Sequence, residues 1–443
     1  MTSATKSARW ESFLEALRRA MQLLAWVSRS CLYPYAFFLG IVTVVAVFQV
    51  INLIDPPYVI KFQGALEDRV ALSAPDGSLP ECVYDVLIFA KPILLSRQSE
   101  FLSLTSQLKK VAGHRRDIKV ECDAEPKQVQ CSLQVSVSAN ETDLKHRDVV
   151  IFGLSPSSLR GRIDGLKSDS LHKPNQLWVF MSMLAPLKAI KLNPKLGSFP
   201  VHLSWTYMSA SELTTPFGYY IPDEPMDTNV VIPNHSGKRK IMAWMGNNCG
   251  TDTYWPRDAY LNELSKHIHI DRYGPCTNLT CLPMDSEQCG MLMGQYKFFI
   301  AFEDAECQEY ITNQFWQTAL LHYTIPVVYG ARKVSFLKFA PPGSYIHAAD
   351  FASPKALADY LKVVAKNDGL YLKYFKWRSL GSIKKAYPPF RRESLCRLLP
   401  HIRDVKVGRL QRKPLSETKW YQSCRKGQNT SQISSLKTWV PWR

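Results

Sequence analysis

From Ser30 to Ile54 the chain carries no charged residue, a run of 25. At about 1.5 Å per helical residue that run spans roughly 37 Å, enough to cross a hydrocarbon core about 30 Å thick. Lys6, Arg9, Arg18, Arg19 and Arg29 precede it against Glu11 and Glu15, and Asp55 follows it. Positive charge stays on the cytoplasmic side, so the expectation is a tail at 1–29, a signal-anchor at 30–54 and a luminal remainder. A cleaved signal peptide is the alternative, but both the apolar run and the basic segment before it are long for one. No second apolar run approaches this length, which makes the expected protein single-pass and type II. The whole chain is basic, 55 Lys and Arg against 38 Asp and Glu. Such a balance suits polyanions. A nucleic-acid partner is nonetheless not expected beyond a membrane.

An oxidising lumen fits the cysteines. Cys31 lies in the anchor, and ten follow it: Cys82, Cys122, Cys131, Cys249, Cys276, Cys281, Cys289, Cys307, Cys396 and Cys424. An even number suits disulfides. Cys122–Cys131 and a bridge within Cys276, Cys281 and Cys289 are the short loops that spacing suggests. Zinc is the rival for that cluster, but no histidine sits at finger spacing, and no metal site is expected. Four sequons, at Asn140, Asn234, Asn278 and Asn429, are consistent with glycosylation.

With 46% apolar and 21% charged residues, the luminal part has the means to build packed cores. Residues 55–80 read as a stem, with turn chemistry at Ala74-Pro75-Asp76-Gly77-Ser78. Short apolar runs at Val83–Phe89, Val149–Phe152 and Leu177–Met181 read as buried strands. After the loop 222–237 a second series begins: Ile241–Met245, Ile268–Ile270, Phe298–Phe302 and Ile325–Tyr329. Helical stripes lie between them, one from Pro256 to Ile268 and one from Ile311 to Leu320. Ser353-Pro354 has N-cap chemistry ahead of a third. Strand–helix alternation implies parallel sheets. The expectation is two facing Rossmann-like α/β domains, 81–221 and 222–395, then a basic tail at 396–443. That tail holds 11 Lys and Arg against Asp404 and Glu417. It reads as a solvated face or as a contact for anionic lipid or an acidic acceptor.

One stretch carries the chemistry. Tyr296-Lys297-Phe298-Phe299-Ile300-Ala301-Phe302 is a buried strand that ends in Glu303-Asp304. A loop, a helix from near Thr312, and a strand ending at Gly330 follow. Ligands of parallel sheets bind at the carboxyl ends of strands. Helix N-termini there favour phosphate. A nucleotide diphosphate sugar, resting on a lip made by Phe302–Asp304 and Tyr329–Lys333, suits the place.

Several segments in order here resemble the alpha-1,3-fucosyltransferases, glycosyltransferase family 10. They are Ala243-Trp244-Met245-Gly246-Asn247-Asn248-Cys249, Arg257 to Leu264, Ile270-Asp271-Arg272-Tyr273-Gly274, and Phe298 to Asp304. Tyr310-Ile311-Thr312, Ile325-Pro326-Val327-Val328-Tyr329-Gly330, Phe339 to Phe351 and Tyr371 to Arg378 follow. The match is strong over about 238–380 and faint over 80–220. The resemblance implies a GT-B fold and inverting transfer of L-fucose from GDP-fucose to a GlcNAc hydroxyl of a glycoprotein or glycolipid glycan. It implies a Golgi membrane location and no obligatory cofactor, with stimulation by a divalent cation open. It also implies sugar-donor contacts at Asn248, Tyr273, Glu303, Asp304, Tyr310 and Thr312.

The chain departs from that pattern in three places. Asn313-Gln314 replaces the family's Glu-Lys after Thr312. Leu184 stands where a glutamate general base is expected. The paired arginines expected after Trp205-Thr206 are absent. Leucine accepts no proton, and a lost base is worth on the order of 10²–10⁴ in rate. Lys297, Arg332 and Lys333 are the candidate replacement cations. Glu303, Glu212 and Asp304 are the candidate carboxylates, with Glu303 and Glu212 favoured for catalysis. A non-catalytic Golgi protein that binds glycan or nucleotide sugar is the competing expectation.

Overall fold

The computed structural model describes residues 81–91, 118–123, 130–154, 156–226, 240–246, 253–275, 277, 279–284, 286–386, 391–425, 436 and 439–442. The uncharged run 30–54, the stem, Asn248, Cys249, Cys276 and three of the four sequons lie outside the described residues. Asn140 is described and is exposed. Among the described residues no helix is long and apolar enough to cross a membrane.

Two sheets organise the compact unit Ser73–Arg443. The first has seven strands in the order Ile118–Asp123, Gln130–Ser138, Glu81–Phe89, Val149–Phe152, Leu177–Ser182, Leu203–Thr206, Leu213–Thr214. Its edge strand Ile118–Asp123 is antiparallel to its neighbour and the other pairs are parallel. The second has five parallel strands in the order Asp271–Tyr273, Lys240–Met245, Tyr296–Phe302, Ile325–Tyr329, Ile346–His347. Continuous burial along Val149–Phe152, Leu177–Ser182 and Ile325–Tyr329 explains why these segments read as unbroken apolar runs.

Four differences from the sequence reading have physical causes. Ile268–Ile270 is not a strand, because the Ile268 N–H still donates to the Leu264 carbonyl as the preceding helix ends. Pairing begins three residues on, where Asp271 comes level with Ala243. The Ile311–Leu320 stripe folds as a π-helix over Gln314–Leu320, a form often found at functional sites.

The third difference is the basic tail. Residues 392–406 form two helices, Arg392–Cys396 and Leu399–Lys406. Leu395, Leu398, Leu399, Ile402 and Val405 are buried against Val86, Ile88, Val149 and Val179 of the first sheet. Lys413-Pro414 then pairs with Pro200-Val201, and Trp420 is fully buried. The 396–422 portion therefore packs on the first domain instead of trailing in solvent, and Cys424 and Arg425 reach the second. Helical spacing of its apolar residues outweighs its charge.

The fourth is the disulfide pairing. Cys82 bonds Cys131 and Cys122 bonds Cys396, which displaces the expected Cys122–Cys131 bridge. Cys122 and Cys131 face each other across antiparallel strands, but each turns to a different neighbour. Cys281–Cys289 is a short loop of the expected kind, and its thiols are spent on each other rather than on zinc. Cys307–Cys424 ties the loop after Tyr296–Phe302 to the returning C-terminal segment.

Candidate functional site

Strand Tyr296–Phe302 is buried along its length and delivers Glu303 and Asp304 to the carboxyl edge of the second sheet. Glu303 is only 4% exposed. Its Oε1 accepts the Thr312 backbone N–H at 2.8 Å. Burial pushes its carboxyl up to about 8, despite that bond and the nearby Arg257. Gly330, at φ +122°, lets the next strand pass close by: a Cβ there would meet the Glu303 Cβ at 2.6 Å. Asp304 is also buried. Its Oδ2 faces Lys188 Nζ at 3.3 Å, and its Oδ1 has no hydrogen-bond partner among the described residues.

Two cations converge on this pair. Lys188 comes from helix Pro186–Leu192 of the first domain, just beyond Leu184. Tyr254 supports the junction: its backbone N–H donates to the Asp304 carbonyl at 2.7 Å, and its O–H donates to the Leu187 carbonyl at 3.1 Å. Arg257 opens helix Arg257–Ser265 and is 3% exposed. Its Nη1 donates to the Phe302 carbonyl at 3.3 Å, while Nε and Nη2 are buried and unpartnered among the described residues. Burial lowers its pKa, and Asp304, Asp258 and Glu303 oppose that shift. Asn313 Oδ1 and Gln314 Oε1 are likewise buried without partners there. Of the fourteen such atoms among the described residues, five lie on Arg257, Asp304, Asn313 and Gln314, and buried polar atoms of this kind are candidates for contact with water or a ligand. Sequence reasoning missed Lys188 and missed Arg257 as a site residue.

The other expected residues are dispersed. Tyr310 is buried against Tyr207, with ring centroids 5.0 Å apart, and burial raises its pKa. Thr312 joins the site through its backbone, and that N–H is spent on Glu303 rather than left for phosphate. Lys297 sits at the opposite, amino end of its strand, where Nζ donates to the Ala365 carbonyl at 2.6 Å. It lies away from the lip because it is the strand's second residue. The Tyr273 hydroxyl also reaches back, to within 2.9 Å of the Tyr296 hydroxyl at that same amino end. Glu212 accepts the Ser204 N–H at 2.8 Å and the Ser204 hydroxyl at 2.6 Å, and it pairs with Lys413. These bonds clamp it to the first sheet and to the C-terminal segment. Lys333 pairs with Asp350 at 2.7 Å. Arg332 follows the lip and lies 5.6 Å from the centre of the Trp442 ring.

The lip expected to be open is covered. The Trp255 indole N–H donates to the Glu303 carbonyl at 2.8 Å, and Trp439 packs on Trp255 and Tyr329. Buried Glu306 anchors this cover by accepting from Tyr329, from Trp439 Nε1 at 3.3 Å and from Arg425. The Trp442 N–H donates to the Tyr329 hydroxyl at 2.8 Å.

Comparison with known proteins agrees with the segments quoted above. Residues 235–418 match the family described as glycosyltransferase family 10 (fucosyltransferase), C-terminal part. The human 4-galactosyl-N-acetylglucosaminide 3-alpha-L-fucosyltransferase is 30% identical over 304 residues, covering 69% of this chain and 74% of the relative. The 3-galactosyl-N-acetylglucosaminide 4-alpha-L-fucosyltransferase of Bos taurus is 33% identical over 255 residues. That alignment takes in 57% of this chain and 65% of the bovine protein, just under two thirds. A crystal structure of an alpha1,3-fucosyltransferase with GDP-fucose superposes at a TM-score of 0.43 with 13% identity, over 77% of this chain and 94% of the other.

Proposed function

The chain belongs to glycosyltransferase family 10, the fucosyltransferases, and from that premise we propose that it moves L-fucose from GDP-fucose to a GlcNAc hydroxyl of a glycan. The reading takes the linkage as alpha-1,3, the stereochemistry as inverting and the two sheets as a GT-B pair. It places the enzyme in the Golgi membrane, anchored once by residues 30–54, with the catalytic part luminal and disulfide-bonded. No obligatory metal is needed, since a diphosphate can be held by side-chain cations and backbone N–H groups.

The supporting observation is the cluster of buried, unpartnered polar atoms of Arg257, Asp304, Asn313 and Gln314. In this reading the two free guanidinium nitrogens of Arg257 meet the diphosphate, and their charge stabilises departing GDP. Lys297 is unsuited to that task, being at the far end of its strand. Asp304 takes the acceptor proton. It faces the segment that begins at Leu184, where the family's glutamate is missing, and its Oδ1 is uncommitted. The acceptor oxygen bonds to the fucose anomeric carbon as the bond from that carbon to the phosphate oxygen breaks, through an oxocarbenium-like state. Glu303 holds the Thr312 loop and Lys188 fixes the Asp304 carboxylate. Entry of the sugar donor requires residues 439–442 to move off the lip.

The test is GDP release by the full purified chain from GDP-fucose with a panel of GlcNAc-containing acceptors. Turnover that Asp304→Asn abolishes in a protein of unchanged unfolding temperature supports the reading. GDP-fucose binding without turnover on any acceptor would sink it in favour of a non-catalytic binder.

A further inference from the structure

The first sheet carries a second concavity at its opposite end. Gln176 and His202 immediately precede strands Leu177–Ser182 and Leu203–Thr206, so they mark the amino edge, away from Leu184 and Lys188. A cavity of about 560 Å³ opens there, lined by Lys173, Asn175, Trp178, His202 and Arg412 among others. The returning C-terminal segment supplies one wall. Between Cys396 and Lys413 it holds six Lys and Arg against the single acid Asp404. Of these six, Arg412 lines the cavity, while Lys406, Arg409 and Lys413 pair with Asp148, Asp404 and Glu212.

The lining is built rather than incidental. Arg412 lies 4.6 Å above the Trp178 ring, and His172 packs on the same ring at 4.0 Å. His202 is 8% exposed, and its Nδ1 accepts the Trp178 N–H at 2.9 Å. The neutral ring must then carry its proton on Nε2, leaving an N–H to donate. Burial and Arg412 push the His202 pKa down to about 4, so this tautomer persists at luminal pH. Asn175 holds a left-handed backbone, φ 57°, at the rim. Besides the Trp178 ring, the ion-pair partner of Arg412 among the described residues is Asp169, whose side chain is 87% exposed. An exposed pair of this kind is worth little, so a competing anion displaces the carboxylate cheaply.

We propose that this cavity binds an acidic saccharide, with the carboxylate or sulfate on Arg412 and the ring hydroxyls on His202 and Asn175. The volume exceeds what a bare oxyanion fills. The His202 imidazole, held by the Trp178 N–H, donates from a fixed position that suits a hydroxyl, and a concave site suits a sugar better than a flat lipid surface. The proposal stands on the cavity and is independent of the sugar-donor site.

Calorimetric titration of the full chain tests it, with glucuronic acid, inorganic phosphate and phosphatidylserine vesicles as probes. Glucuronic acid is expected to bind saturably in the millimolar range, and phosphate at least about tenfold more weakly. Arg412→Gln should weaken glucuronic acid binding about tenfold or more. Asp169→Asn should tighten it several-fold, a gain that misfolding cannot produce, while leaving fucose transfer unchanged. No saturable binding, equal affinity for phosphate, binding of vesicles alone, or indifference to Asp169→Asn would each overturn the assignment.

Discussion

The carboxyl edge of the second sheet gathers buried ionisable groups, whereas the corresponding edge of the first is nearly free of them. Around Phe302 stand Glu303, Asp304 and Arg257, all under 10% exposed. At the first sheet's edge stand Met183, Leu184 and Ala185, then Tyr207 and Met208, and Lys188 is the cation that reaches across. Burying ionisable groups is costly unless they are paired. The second edge accepts that cost and still leaves polar atoms unpartnered, as a surface shaped for a charged ligand does. The first edge offers a mostly neutral wall. In the proposed reading the ionisable groups of the reaction lie mostly on the second sheet, and Asp304 serves as the base that Leu184 cannot be.

Asp304→Asn should break this asymmetry most severely. It removes the proposed proton acceptor while keeping the shape, so kcat should fall by about 10²–10⁴. A loss below about threefold in a GDP-release assay would return the base to the first domain.

Glu303 sharpens the same contrast through pH. Its folded-state pKa of about 8 lies above the ordinary value of 4.5. The stability linked to it is therefore full below about pH 4.5 and is lost as pH rises towards about 8. Glu303→Gln should flatten that decline, whose slope is at most about 1.4 kcal/mol per pH unit for one group. Thermal unfolding from pH 5 to 9 measures it. An unchanged slope would mean that Glu303 is ionised in the folded protein.

Trp439→Ala probes the cover on the charged edge. Losing its contacts with Trp255, Tyr329 and Glu306 should speed GDP-fucose association several-fold in stopped-flow fluorescence. A slower association would assign Trp439 to binding rather than occlusion. The smallest effect is expected from Lys333→Ala. Its pair with Asp350 is 44% and 43% exposed, so stability should change by no more than about 0.5 kcal/mol and donor affinity by less than twofold.

Much of the second domain was legible because its strands are continuous apolar runs that stop at punctuating residues. Phe302-Glu303 and Tyr329-Gly330 showed where the edge lies. Lys297 was misplaced although strand direction alone puts it at the far end. Arg257 opens a segment, Arg257 to Leu264, that resembles the family, yet beside Asp258 on a polar helix it reads as solvated, and its site role shows only once it is buried beside Phe302 and Trp244. Lys188 lies in a segment whose partner is 116 residues away, and no local pattern encodes that meeting. The C-terminal helices were masked by their charge, although Leu395, Leu398, Leu399, Ile402 and Val405 already had helical spacing. Disulfide partners such as Cys122 and Cys396, 274 residues apart, follow from the folded topology and not from spacing.

Calorimetric titration of GDP-fucose into the wild-type chain and into Arg257→Met tests the central claim most directly. Saturable binding in the wild type, weakened about 10²-fold or more by the substitution with folding intact, is the predicted result. Equal affinity in the two proteins, or no binding in either, would contradict the claim that the second sheet's charged edge holds the diphosphate.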